Sequence, residues 1–241
     1  EIVEIFQDQV RAERGITVAT VTTAEPLTAE EEALVREKLT ALTGNTIGSN
    51  FTSNGPAVIS TGTADGQGIN ATSITFADIV TFSGRIASSS GAVGFANDLS
   101  LAGDSRIAAA GPLTFAGAVK SSDSTGRALT ISNSGTTTFG GAVGDAVRPI
   151  SSLSIEAGGS TAINTPTVIV TGTANYGNPV VMGADTTFEV GSLIFASTLN
   201  SDATARRVLV RTGAAGLTTF GGAVGGSSPI DQLFINENGA V

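Results

Sequence analysis

The sequence predicts a mainly β protein. Residues 55–241 read as a right-handed parallel β-helix, a β-solenoid of roughly eight coils, and residues 1–45 as a small helix–strand–helix head in front of it. Three observations predict this. The block Thr137-Thr138-Phe139-Gly140-Gly141-Ala142-Val143-Gly144 returns unchanged at Thr218–Gly225. Apolar and polar residues alternate over short runs, as at Leu129/Ile131 and Leu153/Ile155, which is the period of a strand with one buried face. Charge and glycine are also partitioned. Residues 1–45 hold nine acids, four bases and two of the 31 glycines, and the rest of the chain holds the other 29 glycines. Dense charge with little glycine suits helices, whereas sparse charge with much glycine suits short strands and turns.

The head comes first. Ile2, Ile5, Phe6 and Val10 recur near helical spacing, so 1–13 reads as an amphipathic helix. Gly15 ends it. Ile16–Thr23 is β-branched and reads as a strand. Thr28 with Glu31 forms a capping box, and Glu30, Glu31 and Glu32 lie in the first turn, where the helix dipole favours negative charge. Leu34, Val35, Leu39 and Leu42 form the apolar stripe of this second helix, and Gly44 stops it. Residues 46–54 read as a junction.

The stretch Arg14–Thr28, with its alternating Val and its Ala24-Glu25-Pro26-Leu27-Thr28 turn, leads into a Glu-rich helix and Leu42-Thr43-Gly44-Asn45. It resembles the C-terminal part of the delta subunit of bacterial F-type ATP synthase. That family continues with a second strand and a hairpin, but here the chain switches to Gly48-Ser49-Asn50-Phe51-Thr52-Ser53-Asn54, so the delta-like unit is truncated. The resemblance implies a structural connector between catalytic head and peripheral stalk, with no catalytic residues to carry over.

The remainder repeats itself. Arg127-Ala128-Leu129-Thr130-Ile131 matches Arg207-Val208-Leu209-Val210-Arg211, and Pro149–Ile155 matches Pro229–Ile235. The steps from Phe115 to Phe139 and from Phe195 to Phe220 are nearly equal. A step of roughly 24 residues fits one coil of a solenoid, and eight coils stacked ~4.8 Å apart make a rod of roughly 40 Å. A flat sandwich would need two-residue hairpins in a regular register. Asn54-Gly55 and Asp65-Gly66 occur without one. The repeated blocks, with lines such as Gly158-Gly159-Ser160-Thr161-Ala162-Ile163-Asn164, resemble the repetitive regions of bacterial surface adhesins and autotransporters of the filamentous-haemagglutinin type. That resemblance implies export and an extended rod.

The composition removes much chemistry. With no Cys and no His there is no thiol nucleophile, no thiolate metal site, no His-based triad and no ordinary zinc site. A net charge of −9 with 14% charged residues argues against nucleic-acid binding. No stretch approaches the ~18 apolar residues needed to span a bilayer. For carbohydrate chemistry the candidates are Asp104 with Arg106, Arg127, Asp145 with Arg148, and Asp202 with Arg206 and Arg207. They are scattered singly beside Gly or Ser, as turn residues are. Asp65, Asp104, Asp123, Asp145, Asp185 and Asp202 offer oxygens for calcium, but the calcium-loaded β-roll pattern is absent. Phe76, Phe82, Phe115, Phe139, Phe195 and Phe220 read as a stacked core ladder, and Tyr176 as the exposed aromatic candidate.

The expectation is therefore a non-enzymatic structural or adhesive rod, secreted or at a bacterial cell surface, with no catalytic, cofactor or metal site. Its expected partners are carbohydrate or a host or neighbouring cell surface. The alternatives are a peripheral-stalk connector that meets ATP synthase subunits through 1–45 on the cytoplasmic face of the membrane, and a polysaccharide-active enzyme on a β-helix. The last residues break off within a repeat, so the chain reads as part of something longer.

Overall fold

A computed structural model describes residues 51–62 and 68–236. The expected helix–strand–helix head, 1–45, lies outside the described residues. Within them every named element is a strand and every strand pair is parallel. The chain winds as a parallel β-solenoid. Phe51, Ile74, Val93, Leu113, Thr137, Thr161, Val180, Leu199 and Val224 are successive register partners, which makes eight turns. The turns are unequal, short from Ile74 to Val93 and long from Leu199 to Val224. The first strand, Phe51–Ser53, falls inside the span read as a junction.

Each coil has three faces. The first is an eight-stranded sheet of short strands, from Phe51–Ser53 to Leu199–Ser201. The other two belong to a twelve-stranded sheet whose long strands, such as Val80–Ser88 and Thr167–Tyr176, bend between them. The bends coincide with register shifts at Phe82/Gly84 and Val170/Thr173. A bulge lets one strand turn a corner while its pairing continues on both sides.

Each face points columns of side chains inward, and one column from each shows the stacking. Ser53, Phe76, Phe95, Phe115, Phe139, Ile163, Met182 and Ser201 stack on the first face. On the second, Ala57, Val80, Leu99, Val119, Val143, Val168, Phe188, Val210 and Ile235 follow one another. On the third, Ile69, Ile86, Ile107, Ile131 and Ile155 give way to Tyr176, Phe195 and Phe220. Between the two ends these residues are buried. Alternation with period 2 produces this: the residue on each side of an inward one faces out, as in the strand Val80–Ser88.

Stacking in register adds ring-on-ring contact. Phe76, Phe95, Phe115 and Phe139 lie with ring centroids 5.0, 5.2 and 5.2 Å apart and interplanar angles of 14°, 10° and 9°. The expected Phe ladder therefore exists, but as two ladders. Phe195 stacks on Tyr176 and Phe220 on the third face, and Phe82 belongs to neither, pairing with Ile59 and Leu101. Tyr176, read as exposed, is fully buried, because its position continues an isoleucine column. Its hydroxyl has no hydrogen-bond partner and burial pushes its pKa up. An unpaired buried hydroxyl costs on the order of 1–3 kcal/mol. Tyr176→Phe should therefore raise stability by about 1 kcal/mol, read as a higher urea midpoint, and a lower midpoint would contradict this placement.

Candidate functional site

Ionisable side chains lie at the corners, and register decides what each one meets. A bulge leaves a backbone N–H without a ladder partner. At Arg127/Ala128 the free N–H of Ala128 donates to Asp104 Oδ1 at 2.9 Å, one coil back. At Arg206/Arg207 the N–H of Arg207 donates to Asp185 Oδ1 at 3.0 Å. The same device thus serves two bulges. Asp104 spends its carboxylate on the fold, and Arg106 reaches Glu156 at 3.4 Å instead of the Asp104 expected beside it.

A second device repeats at two corners. In Asp123-Ser124-Thr125-Gly126-Arg127 the N–H of Thr125 donates to Asp123 at 2.9 Å, and Arg127 closes the turn with an ion pair to Asp123 at 2.9 Å. In Asp202-Ala203-Thr204-Ala205-Arg206 the distances are 2.8 and 2.7 Å. A serine hydroxyl, Ser121 or Ser201, accepts the N–H of the arginine in each case. Asp145 accepts from the N–H groups of Val147 and Arg148 at 2.9 and 2.6 Å and pairs with the Arg148 guanidinium at 3.2 Å. The sequence pairs Asp145–Arg148 and Asp202–Arg206 therefore exist, as clamps of single corners.

The glycines of the repeated block have the same kind of role. Gly144 and Gly225 both sit at positive φ, 69° and 67°, where the chain turns. A Cβ on Gly141 would meet the backbone of Gly117 one coil back, and one on Gly222 that of Ser197.

Two ion pairs besides Arg106–Glu156 join coils and were not legible in the sequence. Lys120 Nζ lies 2.6 Å from Asp98, and Arg211 lies 3.2 Å from Glu189. Each pair is one coil apart in sequence, a signal available only once the register is known. Glu189 and Arg211 border a shallow open groove with Ile169, Thr171 and Gly191. Among the described residues no three acidic side chains are grouped so as to hold a metal ion, and Asp65 lies outside them.

Four of the carboxyls titrate low. The Lys120 ammonium holds Asp98 below the usual carboxylate range, the Thr125 N–H does so for Asp123, the Arg148 N–H for Asp145 and the Arg206 guanidinium for Asp202. A depressed folded pKa contributes stability that is present above the unfolded value, about 3.9, and is lost as pH falls through the folded one. Urea midpoints should therefore hold steady down to about pH 4 and fall below it. A midpoint that rose on acidification would contradict this sign.

With the corners accounted for by backbone donors, comparison with known proteins adds one match. Residues 1–55 match the family model of the ATP synthase delta (OSCP) subunit. The match covers under a quarter of the chain and ends just past the first solenoid strand, Phe51–Ser53. Neither the curated proteins nor the solved structures contain a significant match to this chain. The eight-turn rod therefore stands on its own geometry, and the similarity to the delta family model ends at the entry of its first coil. No helix among the described residues is long and apolar enough to cross a membrane.

Proposed function

We propose that the chain is a non-catalytic rod segment of an exported bacterial surface protein, structural or adhesive in role. The observation that carries this is what the polar side chains do. Asp98, Asp104, Asp123, Asp145, Asp185 and Asp202 each accept a backbone N–H at a corner. An acid tied to a backbone donor is poorly placed to be a general acid or base, which must meet substrate. The coils wind right-handed, the hand that crossovers between parallel strands nearly always take. One outward column carries Thr52, Thr75, Thr114 and Thr138, with Gly94 between the second and third, and offers hydroxyls on which carbohydrate or a host or neighbouring cell surface would be met.

A second reading is favoured by the match over 1–55: a peripheral-stalk connector carrying a repetitive extension. Protease treatment of intact source cells separates the two. The exported rod predicts peptides from 93–235 released without lysis. Peptides appearing only after lysis, with the chain co-purifying with ATP synthase, would favour the connector and overturn export.

A further inference from the structure

The first face carries no charge over six coils. Its strands pair without a register shift, and each turns one residue outward between two buried ones. That column runs Thr75, Gly94, Thr114, Thr138, Ala162 and Val181. Backbone bonds carry the register further on both sides. Before it lie Ser73, Ala92, Pro112, Thr136, Ser160 and Pro179. After it lie Ala77, Ala96, Ala116, Gly140, Asn164 and Gly183. Residues 73–183 hold eleven charged side chains, and none falls in these three columns. They lie at the corners and on the other two faces. The third column meets its first charge at Asp202, beyond Gly183.

We propose that this face pairs with the same face of a second copy, as parallel rods related by a two-fold along the rod axis. Charge selects the occupant. The chain carries a net −9, so two copies repel where their ionised surfaces meet. On this face they approach without taking a charge out of water, which would be costly. Size supports the same occupant. Gly, Ala and Pro have no rotamer freedom to lose, so covering them costs little entropy. The two-fold lays the first column of one copy on the third column of the other. Pro112 then faces the second copy's Ala116, Thr136 its Gly140 and Pro179 its Gly183, a wider residue on a narrower one each time. A small ligand needs a concave site, and the groove beside Glu189 and Arg211 lies off this face.

Area sets the strength. Six strands at ~4.8 Å and five residues at ~3.3 Å give about 480 Å² a side, or roughly 1,000 Å² in the pair. Standard interfaces bury about 1,600 Å², so this pair is weak and reversible. The pairing rests on the reading that the Thr column meets a partner, and it names that partner. Purified chains pair without any need for export, so either can fail alone.

The test is sedimentation of the purified full chain from about 10 μM to 1 mM. The sedimentation coefficient should rise with concentration towards that of a dimer. Thr114→Lys/Thr138→Lys should weaken association at least about tenfold. Ala108→Lys/Ser132→Lys adds the same charge to register partners on the outward side of the third face and should leave it unchanged. Added salt should strengthen pairing, because it screens the net repulsion and breaks no ion pair. A monomer at every concentration would overturn the pairing and leave the face to carbohydrate. Equal effects of the two lysine variants, or weakening by salt, would also overturn it. If the first variant fails to fold, cross-linking decides, since the chain has no cysteine of its own. A bis-maleimide spanning about 10 Å, the spacing of packed sheets, should join two copies of Thr138→Cys far more readily than two of Ser132→Cys. Equal yields would contradict the pairing.

Discussion

Phe115→Ala should lower the stability of the rod by about 3–5 kcal/mol, the range for emptying a phenylalanine site in a core. Phe115 is fully buried, with Phe95 and Phe139 each stacked 5.2 Å away. The hole cannot close by sliding these rings together, because each is anchored in a parallel strand whose spacing the ladder fixes at about 4.8 Å. Two ring-on-ring contacts are lost with the buried area. Phe220 supplies the contrast. It stacks on Phe195 alone, at 5.7 Å, and is only half-buried. Phe220→Ala should therefore cost less than half as much by urea unfolding. Equal losses at the two sites would mean that stacking in columns is not what holds the rod.

Gly144→Ala should cost about 2–4 kcal/mol, through two causes that a second variant separates. At φ 69° a side chain carries the left-handed penalty of roughly 1–2 kcal/mol. Its Cβ would also run into the carbonyl oxygen of Ile169 in the next coil. Gly225 has the same local sequence and a φ of 67°, but the atoms nearest its Cβ belong to Ile230 and Pro229 and no carbonyl oxygen is among them. Gly225→Ala should show the conformational penalty alone, about 1–2 kcal/mol. If both substitutions cost the same, close approach of successive coils at this corner is not what selects glycine.

These two glycines also show how far the sequence could be read. The identical blocks were legible, and so were the strand alternation and the approximate length of a coil. Their places in the fold were not. Val143 pairs with Val119 and Val168 on the second face, whereas Val224 pairs with Leu199 on the first. Phe139 belongs to the first face and Phe220 to the third. The long repeat is thus four turns less one face, and one octapeptide turns two different corners. Turns of unequal length allow this, because a coil needs only that an apolar residue arrive at each column, while corners absorb the surplus.

Parity was lost for the same reason. Aligning Arg127–Ile131 with Arg207–Arg211 sets buried Leu129 over half-buried Leu209. The inward partner is Val208, one position earlier, and such a slip in a strand turns every side chain to the other face. The column Ile69, Ile86, Ile107, Ile131, Ile155 was invisible because its steps are unequal, the one from Ile69 to Ile86 being the shortest. Tyr176 was misread for the same cause, since only the register shows that it follows Ile155. Asp123, Asp145, Asp185 and Asp202 were correctly taken as turn residues, whereas Asp104 lies within the strand Leu99–Ala109; the partners of Asp104 and Asp185 one coil away needed the register.

Parallel register between successive coils is the claim on which the rod depends, and disulfide formation tests it directly. The chain has no cysteine, so any bond formed is the engineered one. Thr114 and Thr138 are register partners on the outward side of the first face. Partners about 4.8 Å apart fall within the roughly 4.4–6.8 Å Cα separation a disulfide accepts. Oxidation of folded Thr114→Cys/Thr138→Cys should give a near-complete intramolecular disulfide, and Thr114→Cys/Ala162→Cys, two coils apart, should give none. A bond absent from the first pair, or equally abundant in both, would contradict the solenoid.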